Sequence, residues 1–258
     1  MGLLERQQGT AERGSSGLDL NGEHAMRHFL PERRDLQPQA IWTFTDVSAV
    51  SLIVFGGTII IYIVGYGLAG DTRIPVVVGL YSGGLLGLCV PILWIRTRYG
   101  YTKAALGLRR GNLRSLTSVA IGGAVALAYY LLVRLVLFPH PTPLSTRPSY
   151  LALVLVPLSI SGFSSVILGP ISEEVLVRGF LYGYLRKLLG IGPGLVLQAL
   201  LFSALHLGSS SHSSLHTAID AFLIGSMLGI LYEKTGSLFA PIICHSTVNY
   251  LAVLRTAL

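Results

Sequence analysis

The sequence predicts an all-α, polytopic membrane helix bundle with about eight transmembrane helices. Of its 258 residues, 52% are hydrophobic and only 12% are charged, and the mean hydropathy is +0.64. These values lie outside the range of soluble globular proteins. The apolar residues also fall into runs close to the roughly 20 residues that a helix needs to cross a bilayer.

The predicted helices follow one another along the chain, four of them long and apolar and four shorter or more polar. The long runs are residues 47–69, 74–95, 117–138 and 150–168, and the later helices are about 172–188, 193–207, 215–232 and 238–254. Breaks between the later helices are marked by Gly190 to Pro193, a Ser/His run at 209–214 and the turn 235–237.

Three regions are expected. Residues 1–40 hold six of the twelve acidic residues and no apolar run, which predicts a disordered polar tail. Residues 41–149 are expected to be N-terminal transmembrane scaffold helices, with a basic cytoplasmic loop at 96–114. Residues 150–258 hold the polar motifs described below.

Positive charge sets the predicted orientation. The loop 96–114 carries six basic residues, the densest cluster between spans, and is therefore expected in the cytoplasm. With eight helices, Glu173 and His206 would then lie at cytoplasmic helix ends, whereas Arg186 and Lys187 would lie at an outer end, against the rule. The net charge of +7 is assigned to such loops and not to nucleic-acid binding.

Two adjacent glutamates are the most informative feature of the apolar part. Beyond residue 40 there are only six acidic residues, among them Glu173 and Glu174. Two like charges side by side in a low-dielectric region repel, so one of them should be protonated or paired. Arg178 lies four residues after Glu174 and shares its helix face, whereas Glu173 points about 100° away. The spacing predicts that Arg178 pairs with Glu174 and leaves Glu173 free.

Two further pairs repeat the four-residue spacing, Phe202 with His206 and His245 with Asn249. Ionisable residues in spanning helices usually face the protein interior or a water-filled cavity. A carboxylate, two imidazoles and an amide in one cavity are the groups that hydrolysis requires. Each pair also has a structural alternative: a salt-bridge knot for the glutamates, an interfacial histidine, hydrogen bonds between helices for His245 and Asn249, and packing for Phe202.

Together, Glu173-Glu174-x-x-x-Arg178, Phe202-x-x-x-His206 and His245-x-x-x-Asn249 resemble the three signature motifs of the CPBP intramembrane proteases. That family contains the type II CAAX prenyl endopeptidases and bacteriocin-processing enzymes. The resemblance covers about a third of the chain, from Ser172 to Tyr250. It implies that residues 150–258 are the catalytic transmembrane region of a glutamate-dependent protease.

The resemblance also implies roles for individual residues. Glu173 and His206 would activate a water, and His245 and Asn249 would stabilise the tetrahedral oxyanion. Glu174 and Arg178 would support the site as an ion pair. No cofactor is expected, although Glu173, His206 and His245 could bind zinc in a metalloprotease that uses the same residues. The sequence has no His-Glu-x-x-His pattern, and the resemblance favours the metal-free mechanism.

The predicted partners are the lipid bilayer and a peptide or membrane-protein substrate, prenylated or not, and no nucleic acid. The oligomeric state is left open. A multi-pass protein of the cell membrane is expected, more in keeping with a bacterial inner membrane, with its active site toward the cytoplasm. The alternative function is a non-enzymatic membrane protein that binds peptides as an immunity or maturation partner. A proton or ion transporter using the glutamates as a relay is disfavoured, because the first four predicted helices offer no acidic or histidine steps.

Overall fold

Seven helices make up the described part of the chain in the computed structural model. The structure describes residues 40–69, 73–100, 105–108, 112–132, 159–207 and 214–257. All of these lie in one compact unit, Leu36–Leu258. The predicted tail falls outside the described residues except for Ala40. No strand occurs in the described ranges, so the all-α prediction is confirmed.

The helices are numbered here in chain order. Helix α1 comprises Phe44–Ser51, a π-helical turn Leu52–Gly56 and Gly57–Ala69; α2 is Arg73–Tyr99; α3 is Asn112–Tyr129; α4 runs from Ile160 to Leu189; α5 is Ile191–Leu205; α6 is Ser214–Thr235; and α7 is Phe239–Ala257. Helices α1, α2, α4 and α6 are long and apolar enough to cross a membrane, and α3, α5 and α7 contain shorter apolar stretches. The chain is a membrane protein of packed helices.

Helix α4 is one continuous helix where the sequence predicted two. A break was expected between residues 168 and 172, at Gly169 and Pro170, but the helix continues through them for 30 residues. The π-helical turn Ser164–Leu168 precedes the proline, and the Gly169 N–H donates to the carbonyl of Ser164, five residues back. Such local π adjustments allow a spanning helix to contain a proline. Glu173 therefore lies near the middle of a helix, and its expected position at a helix end is wrong.

Five of the basic residues lie at one end of the bundle. Arg186 near the end of α4 forms an ion pair with Glu233 near the end of α6, with Nε 2.6 Å from Oε1. Trp42, just before α1, donates its indole N–H to the carbonyl of Phe180 on α4 at 2.9 Å. The same end holds Arg98, because its Nε lies 3.0 Å from Asp46 in the first turn of α1.

These contacts define the basic end, which carries Arg96, Arg98, Arg186, Lys187 and Lys234. The sequence placed Arg186 and Lys187 at the membrane face opposite the basic loop, and that placement is wrong. The continuous α4 removes one crossing from the predicted count, which brings the two residues to the same end as Arg96 and Arg98. All five basic residues then lie on one side of the membrane, as the positive-inside rule expects.

Asp46 fixes the start of α1 at the basic end. Its carboxylate accepts the backbone N–H of Thr43 at 2.8 Å, which closes the first turn as a capping box. It also accepts the indole N–H of Trp94 at 2.9 Å and the hydroxyl of Tyr99 at 2.5 Å, both from α2. The buried carboxylate of Asp46 thus links α1 to α2. This structural role accounts for the presence of an acidic residue at this position.

Glycines bring the helices around the motifs close together. A Cβ atom on Gly122 of α3 would lie 2.5 Å from the carbonyl oxygen of Ala240 on α7. On α6, a Cβ atom at Gly225 would lie 3.2 Å from the Phe202 ring of α5, and one at Gly229 would lie 2.7 Å from Gln198. The four-residue spacing of Gly225 and Gly229 is typical of closely packed spanning helices, and α6 uses it to approach α5.

Candidate active site

The ion pair predicted within α4 is present and fully buried. Arg178 Nη1 donates to Glu174 Oε1 at 2.9 Å, and neither side chain is exposed. Both residues belong to the π-helical segment Glu174–Tyr182, and π-helical turns frequently occur at functional sites. The arginine compensates the charge of this carboxylate, which could not otherwise be buried at a tolerable cost.

His245 of α7 completes the group around Glu174. Its Nδ1 lies 2.9 Å from the same oxygen, Glu174 Oε1, while its Nε2 lies 3.8 Å from Oε2 of Glu173. With Nδ1 as the donor to Glu174, the ring is held with Nε2 facing the first glutamate. Arg178 and His245 therefore converge on one oxygen atom from two helices.

The two glutamates occupy different environments. The Glu174 side chain is completely buried, whereas the Glu173 side chain is 38% exposed. Glu173 lines a cavity of about 720 Å³, and Glu174 does not. The sequence argument that one carboxylate is paired and the other is free matches this arrangement.

His206 follows the last residue of α5 and lines the same cavity as Glu173. Its Nδ1 lies 2.8 Å from the carbonyl oxygen of Phe202. An N–H at Nδ1 that donates to this carbonyl leaves Nε2 as an acceptor. The imidazole can therefore accept a hydrogen bond from a water in the cavity.

Asn249 of α7 also lines the cavity, one helical turn beyond His245. Its Nδ2 donates to the carbonyl of Ser165 in α4 at 2.9 Å. A carboxamide nitrogen has two hydrogens, so one remains for another acceptor. The Asn249 side chain is therefore held by one hydrogen bond, and its second N–H can donate to another acceptor.

Phe202 contacts three of the predicted residues. The Arg178 guanidinium carbon lies 4.4 Å from the centroid of its ring, within range of a cation–π interaction. The ring centroids of His206 and His245 lie 4.6 Å and 5.9 Å away. The packing role expected for Phe202 is present, and the residues that it packs against come from all three motifs.

Helices α1 and α2 form the apolar wall of the cavity, so the region predicted as scaffold also shapes the site. The lining residues from these helices include Phe55, Ile59, Tyr62, Val76 and Leu80. Each of them is partly exposed on the outer surface of the bundle. The polar groups Glu173, His206 and Asn249 therefore face a long apolar surface.

Gln198 of α5 is a buried polar residue that the sequence reasoning missed. Its side chain is fully buried and donates to the carbonyl of Gly225 on α6 at 2.9 Å. Arg178 Nη2 donates to this same carbonyl at 3.1 Å. A lone amide inside an apolar helix was the available signal, since buried polar groups in membranes are costly and usually have a partner.

The zinc alternative would require several ligand side chains grouped together among the described residues. Within them, no three His, Cys, Asp or Glu side chains are grouped closely enough to hold a metal ion. Of the three candidate ligands, His245 has Nδ1 directed at Glu174 and would offer only Nε2.

Comparison with known proteins finds a family similar to the C-terminal part of the chain. The sequence profile of the Rce1-like type II CAAX prenyl endopeptidases matches residues 147–251. This part of the chain is similar to that family. The matched region contains all six predicted site residues.

One curated relative is similar to more than half of the chain, and its description states no function. An Escherichia coli protein described as an uncharacterized 24.3 kDa protein is 28% identical over 152 residues, which is 56% of this chain and 66% of the relative. The match thus spans about two thirds of that protein. No solved structure matches the chain.

Proposed function

We propose that the protein is an intramembrane endopeptidase in which Glu173 and His206 activate a water molecule. The observation that carries the proposal is that these two side chains, from α4 and α5, line one cavity together with Asn249 of α7. A hydrolase needs such a water-accessible pocket where lipid excludes water. The similarity of residues 147–251 to a family of endopeptidases supports the same reaction.

In the proposed reaction, Glu173 takes one proton from the water while Nε2 of His206 accepts a hydrogen bond from the other hydrogen. The water oxygen forms a bond to the peptide carbonyl carbon, and the carbonyl oxygen becomes negatively charged. When the carbon–nitrogen bond breaks, the proton held by Glu173 passes to the leaving amine. The carboxylate is thereby regenerated for the next turnover.

The oxyanion would be stabilised by His245 and Asn249. Asn249 offers the second hydrogen of Nδ2, since the first is bound to Ser165. Nε2 of His245 can donate only when both ring nitrogens carry hydrogen, because Nδ1 is used for Glu174. Glu174 and Arg178 act as the support that holds His245, and no cofactor takes part.

The proposed substrates are peptides or membrane proteins with an apolar segment beside the scissile bond. The wall formed by α1 and α2 is apolar and reaches the polar groups, so it suits a segment that is itself soluble in lipid. Prenylated peptides fit this description and so do transmembrane segments. The substrate panel therefore has to contain both.

Location in the cell membrane, and in a bacterial inner membrane in particular, is part of the proposal. The basic end is assigned to the cytoplasm by the positive-inside rule. Glu173 lies 13 residues from one end of α4 and 16 from the other, or ~20 Å and ~24 Å along the helix axis. Most of the lining residues of α1 and α2 lie in the half away from the basic end, from Thr58 to Tyr62 and from Val76 to Gly84. This arrangement does not favour the opening toward the cytoplasm that the sequence predicts.

The experiment is cleavage of fluorescence-quenched peptides, prenylated and unprenylated, by the purified full-length protein in detergent. Wild type is compared with Glu173→Gln, His206→Ala and, as a histidine control outside the cavity lining, His216→Ala. We expect cleavage by wild type and His216→Ala only, unaffected by a chelator. Chelator-sensitive cleavage that zinc restores would establish the metalloprotease instead. Peptide binding without cleavage by any form would establish the non-enzymatic peptide-binding protein.

A further inference from the structure

The carbonyl of Gly225 is a junction of three helices. It accepts a hydrogen bond from Arg178 of α4 at 3.1 Å and another from Gln198 of α5 at 2.9 Å, while Gly225 itself belongs to α6. Arg178 in turn holds Glu174, and Glu174 holds His245. A continuous chain of hydrogen bonds thus runs from the amide of Gln198 to the imidazole of His245.

The Gln198 amide is tightly packed between α5 and α6. Nε2 also donates to the carbonyl of Leu195 on its own helix at 3.1 Å, so both hydrogens are used. On α6, a Cβ atom at Gly229 would lie 2.7 Å from this nitrogen and 2.8 Å from Leu195 Cδ2. Glycine at this position provides the space that the amide occupies.

From this chain of contacts we infer that Gln198 is a positioning residue for the proposed protease. Its amide holds α6 against α5 and keeps the Gly225 carbonyl in reach of Arg178. Arg178 can then direct Nη1 at Glu174, whose Oε1 orients the His245 ring. Gln198 does not line the cavity and acts only through these residues. The inference rests on the proposed function for its kinetic readout, but not for its spectroscopic one.

The first variant is Gln198→Met, which keeps an unbranched side chain of similar length and removes both donors. We expect kcat to fall about tenfold or more with little change in KM, because small displacements of a group that acts in the transition state reduce the rate steeply. The imidazole ¹⁵N resonances of His245, in the histidine-labelled protein in detergent, should shift. They are assigned by their absence in His245→Gln.

Ser203→Ala is the matched control. Ser203 also lies on α5 and donates a hydrogen bond across to α6, to the carbonyl of Ala218 at 2.6 Å. This contact has no connection with Arg178 in the chain of bonds described above. The control should leave kcat and the His245 resonances unchanged, although it removes one bond between the same two helices.

Gly229→Ala serves as a second variant if Gln198→Met does not fold. The added methyl group displaces the amide without removing it, and it should shift the His245 resonances in the same direction. Unshifted His245 resonances in whichever variant folds would overturn the inference, because Gln198 would then only support helix packing. If wild type cleaves no peptide while the resonances shift as expected, the proposed function fails and the positioning role stands.

Discussion

At the scale of single residues, the two adjacent glutamates show how the local environment separates two identical side chains. Glu174 is buried against Arg178 and His245, while Glu173 faces the cavity. Glu174 thus supports the site and Glu173 remains available for chemistry. The four-residue spacing predicted the pairing with Arg178, since it depends on one helix only.

We expect Glu174→Gln to reduce stability far more than Glu173→Gln. The first substitution leaves the buried Arg178 without a counter-charge, which costs about 3 kcal/mol of unfolding free energy. The second affects a partly exposed carboxylate whose nearest basic partner is 3.8 Å away, for which less than about 1 kcal/mol is expected. Unfolding followed by circular dichroism in mixed detergent micelles measures both. Equal losses would show that the charge of Arg178 is compensated by groups other than Glu174.

We expect Glu173→Gln to lose more activity than Glu174→Gln, which is the reverse of their order in stability. Glu173→Gln keeps the shape of the side chain and removes the base, so we expect cleavage to fall at least about a thousandfold while the fold is retained. The rate is measured with the best peptide from the panel and compared at equal amounts of folded protein. Residual activity within tenfold of wild type would remove Glu173 from the role of base.

The contacts that join different helices could not be read from the sequence. His245 uses the same oxygen as Arg178 but lies 71 residues from Glu174. Gln198 is 27 residues from the carbonyl that it binds. Such contacts depend on how α4, α5, α6 and α7 pack, which the spacing within one helix does not determine.

At the scale of helices, hydropathy predicted most segments to within a few residues, and α4 was the exception. The sequence was divided there into two helices, 150–168 and about 172–188, with Gly169 and Pro170 between them, and proline usually ends or kinks a helix. The Ser164–Leu168 π-helical turn supplies an alternative hydrogen bond to Ser164, and the helix continues. Hydropathy does not show whether a backbone N–H binds the carbonyl five residues back, as in a π-helical turn, or the one four residues back, as in an α-helix.

The approach of α3 to α7 depends on one glycine of an adjacent pair, which provides a matched test. A methyl group on Gly122 would lie 2.5 Å from the carbonyl oxygen of Ala240, whereas nothing lies within 4 Å of one on Gly123. Gly122→Ala should therefore lower the unfolding free energy by about 1–3 kcal/mol, despite the better helix propensity of alanine. Gly123→Ala should be neutral or slightly stabilising in the same assay. Equal behaviour of the two variants would mean that α3 does not pack this closely.

At the scale of the whole molecule, the shared basic end determines how the cavity is placed in the membrane. The sequence identified the basic cluster at 96–114 but added one crossing too many before Arg186. With α4 continuous, Arg98 and Arg186 lie at one end, and most of the residues that line the cavity lie in the half of the bundle away from it. The orientation of the basic end therefore decides which face of the membrane the cavity approaches.

Labelling of single cysteines in intact cells tests this orientation. Lys187→Cys marks the basic end, and Leu68→Cys, near the far end of α1, marks the opposite one; both native side chains are exposed. Cys89 is replaced by alanine, and the buried Cys244 is kept. An impermeant maleimide should label Leu68→Cys in intact cells and Lys187→Cys only after permeabilisation. The reverse pattern would turn the cavity toward the cytoplasm, as the sequence predicts.

The oxygen atom Glu174 Oε1 has a consequence for how the protein can evolve. It is bound both by the arginine that allows the carboxylate to be buried and by the histidine that faces the cavity. In the proposed protease, a substitution at this position that alters folding would alter turnover as well, so natural selection could not adjust the two properties independently there. Gains in thermal tolerance in a lineage with this architecture should therefore accumulate elsewhere, at contacts such as the Arg186–Glu233 pair that do not reach the cavity.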